Sequence, residues 1–251
     1  MRCTAQGARR KAEERRQKAE SSFLSERYAL CTLRYAFFFR KMELTQQKNY
    51  QQAFDLACSF LREVGLEEKS KKAGGVYKKE EEREEITIPF FSEPCTLHFP
   101  QFEFSSPSKK SVSLVARILI LHYLARADGT RVTGRWVGYK DIPGGLLYAS
   151  VFERRATDPL AKKFGDSKKM FAQAGLKMGG RSVEIGDTSF ILQAFPFVPL
   201  QYVLWEGDDE FPPKVQLLFD SSVDHYLSLE DVVVLGQLAT GRLIHQSQRL
   251  A

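Results

Sequence analysis

Three groups of residues in this chain have types and spacings that suit chemistry. The first is an acidic loop, Glu206-Gly-Asp208-Asp209-Glu210, closed by Pro212-Pro213 and set between two alternating apolar runs. Hard cations such as Mg²⁺ or Ca²⁺ need several oxygen ligands, so Glu206, Asp208 and Asp209, with Asp220 from the following run, are candidate metal ligands. The loop lacks the Asp/Asn/Gly ligand order of an EF-hand. It reads equally as a solvated turn, with Gly207 free to take positive φ and the prolines ending strand pairing, or as a protein-docking surface. The second group surrounds Pro143-Gly144-Gly145, preceded by Arg131, Arg135 and Lys140 and followed by Arg154 and Arg155. Backbone N–H groups and guanidinium forks can hold a small anion there, with Trp136 and Tyr139 either lining the pocket or covering the core, and Trp205 as a further candidate contact. A plain structural turn is the alternative. The segment matches neither G-x-G-x-x-G nor G-x-x-x-x-G-K-[ST], so no nucleotide specificity follows. In the third group, Asp220, Asp224 and His225, a carboxylate can orient an imidazole for acid-base work or metal binding. The alternative makes Asp220 a turn or helix cap and His225 a surface residue. His98 and His122 lie in apolar runs and read as satisfied core histidines, and His245 as a complement to a helix C-terminus.

The elements that must position these groups follow from apolar periodicity. Tyr50, Ala53, Phe54, Ala57, Phe60, Leu61 and Val64 recur at three and four, which predicts an amphipathic docking helix from Asn49 to Val64. The charged stretch from Glu67 to Glu85 reads as a solvated loop or helix face. Ile86–Phe91 and Thr96–Phe99 form a predicted hairpin about Ser92-Glu-Pro94. A largely buried helix is expected from about Val112 to Arg126, capped by Ser111, followed by an irregular segment through Gly145. Helical runs are expected around 147–155 and 158–164, and another is capped by Asp166 and stopped by Gly179-Gly180. The period then falls to two across Val183–Ile185, Ser189–Phe195, Leu200–Trp205 and Lys214–Phe219, which is the signature of an antiparallel meander. Ser228 with Asp231 three residues later forms a capping box for a closing helix. Helices and strands fall in blocks without β-α-β alternation. The predicted fold is therefore α+β: an antiparallel meander sheet with helices packed on one face, plus the docking helix and hairpin.

Charge is distributed unevenly. Of 37 Lys/Arg and 31 Asp/Glu, residues 1–41 hold 11 and 4, leaving 26 against 27 in the rest. The remainder is nearly neutral, so the pI of about 9.1 is no argument for nucleic-acid binding by the globular part. Residues 1–41 read as a basic leader, with the natural chain expected to begin at Met42; a basic arm and a presequence are the other readings. Residues 42–251 read as a single domain. Cys3, Cys31, Cys58 and Cys95 stand far apart with no C-x-x-C pair, which favours reduced thiols in a cytoplasmic chain. No apolar run approaches the roughly 20 residues needed to span a bilayer.

Leu121-His-Tyr-Leu124, Thr133-Gly-Arg-Trp136, Ile142-Pro-Gly-Gly145, Asp158-Pro-Leu-Ala161, Leu204-Trp-Glu-Gly-Asp-Asp-Glu-Phe-Pro-Pro213 and Leu218-Phe-Asp220 together resemble an uncharacterised prokaryotic family, domain of unknown function 3786. The resemblance runs from about Asn49 to the C-terminus. It carries no catalytic residues across. It implies an anaerobic setting and a link to iron-sulfur or corrinoid metabolism, since some relatives carry an amino-terminal iron-sulfur domain. No cysteine cluster precedes the shared region here, so any cluster would sit on a partner protein. The reading is a cytoplasmic binding or accessory domain that uses the 130–145 loop, and the 206–213 loop, to hold a cofactor, small anion or redox partner. The alternative is a metal-assisted enzyme using the Asp220/Asp224/His225 cluster or the acidic loop. No particular cofactor follows from the residues.

Overall fold

The computed structural model describes residues 49–108 and 111–249. The basic leader and the expected start at Met42 lie outside them. The chain divides into two units, Met1–Gln52 and Ala53–Ala251, and the elements below belong to the second.

Residues 53–63 are helical (α1) and bury Ala57, Cys58 and Leu61, but Leu56 and Phe60 stay 72% and 47% exposed. The buried face is thus narrower than the apolar spacing predicts. The charged run that follows is not a loop. It builds α2 (Leu66–Lys72), β1 (Val76–Glu80) and the start of β2 (Arg83–Phe90). As an edge strand, β1 can keep its lysines and glutamate in water while its backbone pairs with β2, which is why no apolar signal marks it. Lys69 of α2 reaches across with Nζ 2.6 Å from the Ala125 carbonyl oxygen and 3.2 Å from that of Ala127. The predicted hairpin is present as β2 and β3 (Glu93–Phe99), and β4 (Glu103–Ser105) completes a four-stranded antiparallel sheet in the order β1-β2-β3-β4. Ile86, Ile88 and Phe90 alternate inward along β2.

Helix α3 (Leu114–Arg126) buries most of its circumference; its cap is Ser113, whose hydroxyl accepts from the Ala116 N–H. The irregular segment after it contains β5 (Trp136–Gly138). A short 3-10 turn then leads through α4 (Ala149–Phe152), a π turn and α5 (Asp158–Phe164) to α6 (Lys168–Lys177). The meander comprises β6 (Arg181–Val183), β7 (Thr188–Phe195), β8 (Val198–Trp205) and β9 (Lys214–Asp220), with β5 added beyond β9. Phe190, Tyr202 and Leu217 stand opposite one another across β7, β8 and β9. Phe171 of α6 packs on Phe190 at 4.9 Å between ring centroids and on Tyr202 at 6.3 Å, and the closing helix α7 (Leu229–Gln248) lies beside α6. The α+β class, the meander and the helical layer agree with the sequence pattern. So does the capping box, in which the Asp231 carboxylate accepts from the Ser228 N–H at 3.2 Å and the Ser228 hydroxyl accepts from the Asp231 N–H at 3.2 Å.

The two sheets meet where Tyr123 of α3 stacks on Phe195 at 4.2 Å and Phe90 lies 4.9 Å from the same ring. The Phe91 N–H donates to the Ala194 carbonyl at 3.0 Å, tying the β2–β3 turn to the meander. Among the described residues no helix is long and apolar enough to cross a membrane.

Candidate functional site

The acidic loop joins β8 to β9. Glu206 is half-buried and committed to α6: its carboxylate accepts from the Lys168 backbone N–H at 3.3 Å and pairs with the Lys168 ammonium at 2.7 Å. Lys168 holds the Glu206 carboxyl below its usual pKa. The expected cap, Asp166, is one residue early; Ser167 holds the cap position without a side-chain bond, and Glu206 supplies the oxygen instead. Asp208 accepts from the Glu210 and Phe211 N–H groups at 2.9 and 2.7 Å and so closes its own turn. Asp209 is exposed.

Asp220 stands at the far end of β9. Trp205 pairs with Lys214 at one end of that strand and Trp136 with Asp220 at the other, about 20 Å apart at the usual strand rise. The structure therefore does not bring Asp220 to Glu206, Asp208 and Asp209, nor Trp136 to Trp205. Asp220 is 1% exposed. Its carboxylate accepts from the Thr133 N–H (3.0 Å) and hydroxyl (3.0 Å), the Gly134 N–H (2.7 Å), and the Ser222 N–H (3.0 Å) and hydroxyl (2.7 Å). Burial alone would raise its pKa, but the bonds from Thr133 and Ser222 outweigh that and lower it. His225 finds a different carboxylate from those the spacing suggested: its Nδ1 lies 2.7 Å from Asp128, while the Asp224 backbone carbonyl accepts from Arg126 at 2.9 Å. Among the described residues no group of three or more His, Cys, Asp or Glu is placed to hold a metal ion.

The 130–145 loop is tied down by the same knot. Arg131 and Arg135 are exposed, and the Arg135 backbone is held at both ends, its N–H by the Thr133 hydroxyl and its carbonyl by the Ser221 N–H. Tyr139 is buried and stacks on Phe152 at 4.5 Å, so it covers the core. Gly144 has φ +82°, and a Cβ on Gly145 would lie 2.0 Å from the Tyr139 carbonyl oxygen. Both glycines are needed to close the turn, which is a structural reason for the motif. His122 and His98 are half-buried and satisfied, His122 by Asp231 at 2.7 Å and His98 by Glu85 at 2.9 Å and Ser105 at 2.7 Å.

A cleft of about 660 Å³ opens elsewhere, between the β2–β3 turn, the entry to α3 and the C-terminal ends of α6 and α7. Phe90, Phe91, Val112, Ala116 and Met178 give it an apolar wall. Among the described residues, Lys177, Arg242, His245 and Arg249 line it with one carboxylate, Glu93. Arg242 lies with its guanidinium carbon 5.0 Å from the centre of the Phe90 ring and 4.6 Å from that of Phe91. It is partly buried, burial lowers its pKa, and it makes no hydrogen bond or ion pair with another described residue. The turn beneath it is strained. Phe91 and Ser92 take φ of +50° and +63°, a conformation that costs a residue with a Cβ about 1–2 kcal/mol. Cys95, also in the wall, is buried and its thiol pKa is raised by burial, so the thiol stays protonated.

Residues 66–242 match the family described as "Domain of unknown function (DUF3786)". The chain belongs to the DUF3786 family. Comparisons with curated proteins and with solved structures each give no match. In this DUF3786 chain the matched span includes the knot at Asp220 and the cleft as far as Arg242, while His245 and Arg249 lie just beyond it. The sequence carried one signal for the cleft that composition hides. Val232, Leu235, Ala239 and Leu243 are buried along one face of α7, and Arg242 sits at the edge of that stripe, a charge bordering the apolar face.

Proposed function

We propose that this domain binds a small organic molecule in the Arg242 cleft and acts as a binding or accessory domain. The observation that carries this reading is the cleft itself. Its volume falls in the range of about 300–1,000 Å³ common for ligand pockets, and it combines an apolar wall with a few polar groups at the junction of four elements. Binding is favoured over covalent catalysis by the state of the candidate nucleophiles. Cys95 is held as the thiol, Ser113 caps α3, and among the described residues the Ser106 hydroxyl meets the Ser108 hydroxyl, at 3.2 Å, and no base. The cytoplasmic setting and the iron-sulfur or corrinoid partner implied by the family resemblance belong to the same proposal. Leu146, Leu147 and Tyr148, 72%, 84% and 53% exposed on the turn closed by Gly144-Gly145, offer such a partner an apolar contact.

Saturation-transfer NMR with a library of small aromatic fragments tests the cleft. Gln246 lines it from α7, and Gln246→Trp should fill it. Fragments that bind the native chain are expected to lose binding to Gln246→Trp at an unchanged melting temperature. Fragments that bind both equally would overturn the reading.

A further inference from the structure

We infer that the ligand of this cleft is an organic anion, a carboxylate or phosphate on an apolar body, with its charged group held by Arg242. The inference rests on the cleft being the binding site. Its basis is the mismatch at Arg242. A guanidinium carries five N–H donors and no acceptor, and its two flat faces suit aromatic rings. Here the guanidinium carbon lies 5.0 Å from the centre of the Phe90 ring and 4.6 Å from that of Phe91, two rings set edge to face at 64°. The edge N–H groups have no acceptor among the described residues, and Glu93, the cleft's one carboxylate, forms no ion pair with them. The two rings hold the guanidinium beside the cleft while its donors stay without a protein acceptor among the described residues, which leaves them open to two-point recognition of a carboxylate or phosphate. Partial burial of this cation is costly in the empty protein, and only the more distant charge of Glu93 offsets it. An anion that meets it removes that cost on binding.

Apart from Glu93, the charged surroundings agree in sign. Lys177 and Arg249 line the same cleft, and so does Ser113 at the N-terminus of the 13-residue α3, whose first turn contains no acidic residue to offset the helix dipole. The apolar wall supplied by Val112, Ala116 and Met178 would be left wet by a bare inorganic ion, so the anion must carry an apolar body.

Isothermal titration of the full chain with phenyl phosphate, benzoate, inorganic phosphate and neutral benzyl alcohol tests this. Phenyl phosphate or benzoate should bind at least tenfold more tightly than benzyl alcohol or inorganic phosphate. Arg242→Gln should remove that advantage and leave benzyl alcohol binding unchanged. Arg242→Lys, which keeps charge and stem but not the fork, should lose part of it, and serves as the test if the glutamine variant does not fold. Gln246→Trp should abolish binding of every probe. Benzyl alcohol binding as tightly as the anions, or Arg242→Gln leaving the anions unaffected while Gln246→Trp blocks them, would overturn the anion and spare the cleft. Inorganic phosphate binding as tightly as phenyl phosphate would overturn the organic part. Unchanged binding to Gln246→Trp, or no binding of any probe, would overturn both.

Discussion

Asp220 is a buried charge and Arg242 a partly buried one, and the fold treats them oppositely. Around Asp220 the chain supplies three N–H groups and two hydroxyls, so the carboxylate is fully answered and joins the 130–135 loop to β9. Around Arg242 the described residues supply two aromatic rings and no hydrogen-bond acceptor. Saturated donors and acceptors make a structural joint; donors left open beside a cavity make a site. A loop rich in glycine and arginine looks functional by composition, and here its Thr133, Gly134 and Arg135 backbone groups are committed to the protein itself while its arginine side chains are exposed.

The largest effect expected on the Asp220 side is from Asp220→Ala, which strands the donors of Thr133, Gly134 and Ser222. It should cost about 3 kcal/mol, a fall in melting temperature on the order of 10 °C for a domain of this size, without changing probe binding in the cleft. Asp231→Ala removes half of a capping box and the partner of His122, and should cost about 2 kcal/mol in denaturant unfolding. On the cleft side, Ser92→Gly should stabilise the chain by about 1 kcal/mol by relieving its positive φ. Gly144→Ala, also at positive φ, should do the reverse by a similar amount in the same unfolding assay.

Acid should separate the two regions further. The folded pKa values of Asp220 and Asp231 lie below their ordinary value of 3.8. Their contribution is therefore complete above that value and is lost as pH falls through the lowered folded pKa. Melting temperatures measured downward from pH 5 should drop below about pH 4, less steeply in Asp220→Asn. The exposed Asp128–His225 pair has the mixed dependence of its two members. Asp128 is lowered to about 2 by His225, and His225 is raised by Asp128, so its small contribution fades both below the ordinary Asp value and as pH rises through the raised His pKa. The smallest effect is expected from Arg135→Ala, within about 0.5 kcal/mol of the native chain, with probe affinity unchanged.

What the sequence made legible was what is local. The meander, the Ser228–Asp231 cap and the buried α3 each follow from spacings within one element. Strand β1 escaped notice because an edge strand of Lys and Glu has no apolar alternation to read, and β5 because three residues are too few to show a period. The role of Asp220 depends on Thr133, 87 positions away, and Glu206 caps a helix 38 positions before it. No local pattern encodes such partners. The cleft is assembled from four separated elements, with Arg242 at the edge of the apolar stripe of α7 as its one local trace.

The most direct measurement is arginine side-chain NMR on the full chain while phenyl phosphate is added. The Arg242 Nε–H resonance should shift with saturation while those of Arg131 and Arg135 stay in place. Shifts at Arg131 or Arg135 with Arg242 unmoved would return the site to the 130–145 loop and contradict the account.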